Sequence, residues 1–280
     1  MKNIFTIDVE DWYHLNFSSV NVDPKNIESR IETNFYKLLK MLQDSHSKAT
    51  FFFLGAIAEQ FPMLVQDVME QGHEIASHGY GHKLVYTQTK NEFYEDVLKA
   101  QDIIQTITNK KLLGYRAPSW SISNKTPWAY DILCKLGFKY DASLFPVTTF
   151  LYGDSNAPIT SHTLKTSTGK IVEIPMTVLN LFSLRIPFSG GFYLRALPSW
   201  FINKATQIVN ANNQPVIFYL HPREIDYFQP RLKLPLRDYF ISYHGIKETE
   251  AKVRKLLEKY STVTIESYLS NLPTVEFSKL

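Results

Sequence analysis

Ala49-Thr50-Phe51-Phe52-Phe53-Leu54-Gly55 is the stretch from which the fold can be read. All but one of the six residues before the glycine are apolar. A strand with one face on water alternates apolar and polar residues, whereas one that is apolar almost throughout is covered on both faces. Such strands sit in parallel sheets flanked by helices. Upstream, residues 27–42 carry Ile27, Ile31, Phe35, Leu38, Leu39 and Leu42 at helical spacing. Downstream, residues 57–70 read as a helix stopped by Gln71-Gly72.

The alternation continues in both directions. Strands are expected at 3–9, 73–77, 112–115, 138–141, 171–179, 216–220 and 263–266. Helices are expected at 91–106, at 127–136 before Gly137, and at 248–260. Strands alternating with helices predict an α/β fold with a mainly parallel sheet, and about seven of them without a domain break favour a barrel. One domain is expected over 1–280, with loop insertions near 145–170 and 222–246, where periodicity is lost.

Bulk properties narrow the function. The chain has 280 residues, 44% apolar and 20% charged, with a formal charge of +3. That charge is too small and too dispersed for nucleic acid. A single cysteine, Cys134, excludes an internal disulfide and a multi-cysteine metal site. No segment approaches the roughly 18 apolar residues of a membrane helix. The apolar run before Asp8 is too short for a signal-peptide core, so a soluble, cytoplasmic protein is expected.

The unusual polar residues follow the expected strands: Asp8, Glu10 and Asp11; His78 and His82; Arg116; His221. In a parallel barrel those strand ends share the face that carries active sites. His78-Gly79-Tyr80-Gly81-His82 spaces two imidazoles so that, on a helical turn, both reach one ion. Three carboxylates within four residues repel unless a cation lies among them. Two histidines with one carboxylate from this run make a three-ligand site with an open position, suited to zinc and to other divalent ions. Arg116 can hold a carboxylate ionised. His221, at the mouth of the 216–220 strand, suits general acid catalysis. Gly190-Gly191-Phe192-Tyr193-Leu194-Arg195 reads as a glycine turn, and an N–H near Tyr193 could face an oxyanion.

These residues together resemble the polysaccharide deacetylases with a NodB-homology domain. Thr6-Ile7-Asp8-Val9-Glu10-Asp11-Trp12 is similar to the first motif of that family, and His78 to His82 to its paired metal histidines. Arg116-Ala117-Pro118-Ser119-Trp120 is similar to its Arg-x-Pro motif, and Leu220-His221-Pro222 to its final histidine motif. The stretches 190–198 and 221–231 look like the subgroup of exopolysaccharide and surface-glycan gene clusters. The resemblance spans roughly residues 3–270. It implies a distorted (β/α)7-type barrel and a zinc-type ion. It further implies hydrolysis of N-acetyl groups on N-acetylhexosamine units of a surface polysaccharide or its biosynthetic intermediate.

Carried over by position, Asp8 is the base, His78 and His82 are ligands, Arg116 braces Asp8 and His221 is the acid. Trp120, Tyr193 and Pro118 become substrate-binding candidates. Many relatives have two adjacent aspartates, but here Val9 follows Asp8. Side chains alternate on an extended segment, so Glu10 shares the side of Asp8 and is the expected third ligand, with Asp11 the alternative. Glu173 and Glu224 are candidates to orient His221. The expected partner is an N-acetylated glycan, with peripheral contact to a lipid-linked form. A non-catalytic glycan-binding domain and an O-acetyl esterase are the rival functions.

Overall fold

Strand β1 (Asn3–Val9) is buried along its whole length. Phe5, Ile7 and Val9 join the core packed under the helices, while Ile4 joins the core inside the curled sheet. The same period of two sends Thr6 and Asp8 inward with Ile4. The computed structural model describes residues 2–16, 27–182 and 184–271. After β1 come α1 (Ile31–Asp44), β2 (Thr50–Phe53), α2 (Gly55–Gln60), α3 (Pro62–Glu70) and β3 (Glu74–Ser77). Next are α4 (Lys90–Thr108), β4 (Gly114–Tyr115), α5 (Trp128–Lys135), β5 (Tyr140–Asp141), β6 (His162–Lys165) and β7 (Lys170–Glu173). The chain then forms β8 (Val178–Leu181), β9 (Leu184–Pro187), α6 (Gly191–Ala196), α7 (Ser199–Ala211) and β10 (Ile217–Leu220). It closes with α8 (Leu236–Tyr243), α9 (Ile246–Lys259), β11 (Thr262–Val263) and α10 (Ile265–Ser270).

Among the described residues the main sheet runs β10-β1-β2-β3-β4-β5-β7-β6, with β11 also paired to β1. Every pairing is parallel except β6 with β7. The path has two ends, β10 and β6, so the barrel is curled but open: a mixed α/β fold of the distorted (β/α)7 kind. β8 and β9 form a separate antiparallel ribbon.

The fully apolar strand behaves as its composition dictates. Phe51 and Phe53 face the helices and Phe52 faces inward. β10 repeats the pattern, with Phe218 and Leu220 outward and Ile217 and Tyr219 inward. At β4 the interior is so tight that a Cβ on Gly114 would lie 1.9 Å from the Tyr140 ring. Only glycine lets β4 and β5 pair there.

Several sequence expectations shift. The helix expected from residue 27 begins at Ile31, because Ser29 and the Arg30 N–H are engaged by Asp11. The helix expected at 57–70 is two helices, since Pro62 starts a new one. The strand expected at 171–179 breaks after Glu173, at Ile174-Pro175, and its remainder turns into the β8–β9 ribbon. The strand expected at 263–266 stops at Val263, where Thr264 caps α10 by accepting the Ser267 N–H. The 145–170 stretch contributes β6 to the sheet edge, and 222–246 holds a 3-10 turn and α8. α7 lacks a counterpart among the expected elements, although Pro198 precedes it and its buried residues Ile202, Ala205, Thr206 and Val209 follow helical spacing.

Candidate metal centre and acid–base pair

Glu10, His78 and His82 meet as a buried trio at the strand ends. Glu10 Oε1 lies 2.8 Å from His78 Nε2 and 2.7 Å from His82 Nε2. The two histidines do not share a helical turn, as their spacing suggested. They converge across a loop in which Gly79 has φ +74° and His82 φ +55°. A Cβ at Gly79 would meet Asp96 Oδ2 at 2.8 Å. That same carboxylate, on α4, accepts the Tyr80 and Gly81 N–H groups and fixes the loop. A left-handed histidine is strained, and such strain persists where the surroundings over-determine it.

The donor set fits a cation. His78 Nδ1 lies 2.7 Å from the Arg116 carbonyl, which can only accept, so Nδ1 carries the proton. In neutral His78 the Nε2 lone pair then points at a carboxylate oxygen. A third lone-pair donor, His82, converges on that oxygen. Three electron-rich atoms aimed at one point suit a divalent ion, and two nitrogens with one carboxylate oxygen are a common zinc set with room for a further ligand. The Nδ1 hydrogen bond is also what orients a ligating imidazole. Burial alone would raise the Glu10 pKa, but the imidazoles of His82 and His221, together with the close contacts to His78 and His82, hold it well below the ordinary carboxylate range.

Asp11 is not in this group. It turns away, accepting the Ser29 hydroxyl at 2.5 Å and the Arg30 N–H at 3.2 Å, at the start of α1. An acid there meets the unsatisfied N–H groups of a helix start. Glu10, not Asp11, reaches the imidazoles, and it does so just past the end of β1, where its N–H turns back onto the Asp8 carbonyl at 2.9 Å.

Asp8 sits beside the trio. Arg116, wholly buried, donates from Nη1 to Asp8 Oδ1 at 2.6 Å and to Thr6 Oγ1 at 2.9 Å, and from Nε to the Ala142 carbonyl at 3.2 Å. Its guanidinium lies 4.1 Å from the Phe52 ring centroid. His221 Nε2 stands 3.9 Å from Asp8 Oδ2 and 3.8 Å from Glu10 Oε2. The other ring nitrogen, Nδ1, lies 3.1 Å from Glu224 Oε2, which also accepts the His221 backbone N–H at 3.0 Å. Burial alone would lower the His221 pKa, but Glu10, Glu224 and Asp8 raise it above the ordinary imidazole value. Glu224 would itself be raised by burial, yet His221, Arg195 and Arg223 bring it down to about 2.

Of the two acids considered as partners of His221, the geometry selects Glu224. Glu173 is occupied elsewhere, side by side with Asp141 across β5 and β7, and it accepts the Leu144 N–H at 3.0 Å. Burial and Asp141 push Glu173 well up. Arg195 gave no signal as a site residue. Its Nε donates to Glu224 Oε1 at 2.9 Å, and its remaining N–H groups reach the carbonyls of Ile241 and His244. His14 is another residue the sequence did not single out. It accepts the Asp11 N–H at Nδ1 and packs 5.2 Å from the His82 ring. Burial, then the charge of His82, lowers its pKa to about 3.

Asp8, Glu10, His82 and His221 line one cavity of ≈ 100 Å³, with Trp120 and Tyr219 on its wall. That is room for several waters or one small polar group. Trp120 is 6% exposed, and its Nε1 finds no partner among the described residues. Pro118 and Tyr193 lie outside the lining: Pro118 is buried and Tyr193 stacks against Phe145. The glycine turn at 190 opens α6.

The family profile described as Polysaccharide deacetylase matches residues 21–140, and that described as Domain of unknown function (DUF3473) matches 142–270. A peptidoglycan deacetylase of Helicobacter pylori is 36% identical over 113 residues, 40% of this chain and 38% of the relative. A peptidoglycan-N-acetylglucosamine deacetylase of Bacillus cereus is 32% identical over 96 residues, 34% of this chain and 35% of the relative. The matched stretches thus span little more than a third of those relatives. Among solved structures, a Mycobacterium smegmatis protein provisionally described as a polysaccharide deacetylase superposes with a TM-score of 0.60 at 16% identity, covering 100% of this chain and 96% of the other. PuuE allantoinase gives 0.58 at 16% identity, covering 99% and 86%. These two likenesses concern the fold alone. A polysaccharide deacetylase domain over residues 21–140 is thus followed by DUF3473 over residues 142–270.

Proposed function

We propose that the chain is a metal-dependent hydrolase that removes N-acetyl groups from N-acetylhexosamine units of a surface polysaccharide or its biosynthetic intermediate. One observation carries the proposal: a braced carboxylate, the His221 imidazole and two donors of the metal trio, Glu10 and His82, face one small cavity, with His221 Nε2 within 3.9 Å of both Asp8 and Glu10. We read residues 1–280 as one catalytic unit, because Asp8 and Glu10 precede both profile matches while His82 and His221 lie in different ones.

Glu10, His78 and His82 would hold the ion, with zinc the first choice for such a set. When bound, a divalent ion polarises the acetyl carbonyl and makes water more acidic. Arg116 occupies Asp8 Oδ1, leaving Oδ2 toward the cavity to take a proton from the attacking water. His221, held by Glu224 through Nδ1, offers its Nε2 proton to the departing amine nitrogen. Water oxygen adds to the acetyl carbon, the C–N bond breaks, and acetate and a free amino sugar result. Trp120, whose Nε1 is unpaired among the described residues, and Tyr219 border the acetyl group.

Acetate release from N-acetylated and O-acetylated oligosaccharides, with metal analysis of the same preparation, tests the proposal. Asp8→Asn is expected to abolish turnover while retaining the metal. Wild-type turnover in that variant, or release from esters only, overturns the amide-hydrolase assignment.

A further inference from the structure

Helix α8 is turned inside out. Leu236, Tyr239 and Phe240 recur at i, i+3 and i+4, the spacing that normally makes a core-facing stripe. Here that stripe faces solvent: Leu236 is 91% exposed and Phe240 50%. Phe228, earlier in the same loop, is 80% exposed. Across the cavity mouth Phe150 is 59% exposed and carries the Arg237 guanidinium 4.1 Å from its ring centroid. Phe240 packs on Phe192, and Ile241, one residue on, lines the cavity itself. Single exposed apolar residues need no explanation, but a contiguous group at a site mouth does.

Charge identifies what covers it. Residues 227–247 hold Arg231, Lys233, Arg237 and Lys247 against Asp238 alone, a surplus of +3. That equals the formal charge of the entire chain, so the other residues balance. Asp238 is buried and takes the Arg237 Nε–H at 2.9 Å, so no acid is exposed within 227–247, and the next one, Glu248, follows Lys247 at the far end of the stretch. Leucine and phenylalanine projecting among lysine and arginine match an interface of acyl chains beneath anionic headgroups. No helix among the described residues is long and apolar enough to cross a membrane.

We infer that α8 and the loop before it dock the protein on an anionic lipid bilayer, with the cavity mouth beside the membrane. This deepens the proposed function by giving the glycan a membrane-bound source. Vesicle binding needs no turnover, so failure of either inference leaves the other standing.

The test is co-sedimentation of the full chain with phosphatidylglycerol-rich and with phosphatidylcholine vesicles. Pelleting with the anionic vesicles is expected, weakened about fivefold by each of Arg231→Gln and Lys233→Gln and by raising salt from ~0.1 to ~1 M. The double variant Leu236→Ser/Phe228→Ser should lose binding with an unchanged unfolding midpoint, because both side chains are in solvent. Absence of pelleting overturns the inference, as does equal pelleting of all variants or on both lipids. Concentration-dependent dimerisation abolished by the double variant would assign the surface to a second copy instead. Weakened chito-oligosaccharide affinity without vesicle binding would assign it to glycan.

Discussion

Replacing Glu224 by glutamine separates the orientation of His221 from every other feature of the site. Glu224 is 2% exposed and is gripped from both sides, by His221 Nδ1 and N–H on Oε2 and by Arg195 Nε on Oε1. Glutamine has one acceptor where two are needed. Whichever way the amide turns, its NH2 faces either the Arg195 donor or the His221 donors. The magnitude follows from the titration of the native residue. A carboxyl that titrates at about 2 in the fold, against roughly 4.5 unfolded, contributes about 3 kcal/mol at neutral pH. That stability is present above pH ~4.5 and is lost as pH falls toward 2, since the unfolded chain takes up the proton first. The loss on substitution is about 3–5 kcal/mol when the buried Arg195 charge is left without its partner, or roughly 6–15 °C in melting temperature for a chain of this size. Activity gives a second readout. His221 is raised because neighbouring anions favour the imidazolium, and an acid catalyst is lost as pH rises through its pKa. Removing Glu224 therefore moves the alkaline limb of kcat/KM to lower pH, and turnover at neutral pH falls by up to ~100-fold. Acetate release across pH, beside a thermal melt, measures both. An alkaline limb that stays in place, with a melting temperature within about 2 °C of wild type, would refute the reasoning.

Two further perturbations probe the interior. Arg116→Lys keeps the charge but cannot serve Asp8, Thr6 and the Ala142 carbonyl at once; a loss of about 2–4 kcal/mol in denaturant unfolding and at least a ~10-fold lower acetate-release rate are expected, and an unchanged rate would show that Asp8 needs no brace. Glu173→Gln should relieve the buried acid pair. Because burial and Asp141 raise the native pKa, native Glu173 stays protonated above pH 4.5 while the unfolded chain ionises. Wild-type stability therefore falls with rising pH, so the variant gains on wild type between pH 5 and 8 in urea midpoints. Parallel curves would show that the pair does not share a proton.

What was legible in the sequence is what local period carries. Alternation on an extended segment favoured Glu10 over Asp11, although β1 ends at Val9 and a turn from the Glu10 N–H to the Asp8 carbonyl carries Glu10 to the trio. The apolar run at β2 gave the parallel sheet. Glu224 was visible only as one of two acids, because its role depends on a 3-10 turn that brings residue i+3 back onto His221. Arg195 was invisible, since Glu224, Ile241 and His244 lie 29, 46 and 49 residues away. The convergence of His78 and His82 was expected, but its cause was not. Left-handed backbone at Gly79 and His82, pinned by Asp96, replaces the helical turn. α8 escaped notice for the opposite reason: its stripe exists, but a proline-rich loop and an outward face hide a helix from any argument based on burial.

The proposed site draws on both profile matches and on β1, which precedes them. β10 comes from the second and lies against β1, with Ile7 opposite Leu220. One residue further along this register, Asp8 and His221 become neighbours at the strand ends, and the 3.9 Å between them follows. A parallel pair slipped by one residue would exchange inner and outer faces. Tyr219 and Ile217 would then face the helices, and His221 would leave the cavity. Phe218 and Leu220, fully buried under the helices, prevent that slip. Outward packing of these two apolar side chains therefore fixes the distance between the proposed base and acid, although neither touches the cavity. A substitution at Phe218 that shortens the side chain should accordingly disturb proton transfer through register before it disturbs anything at the metal trio.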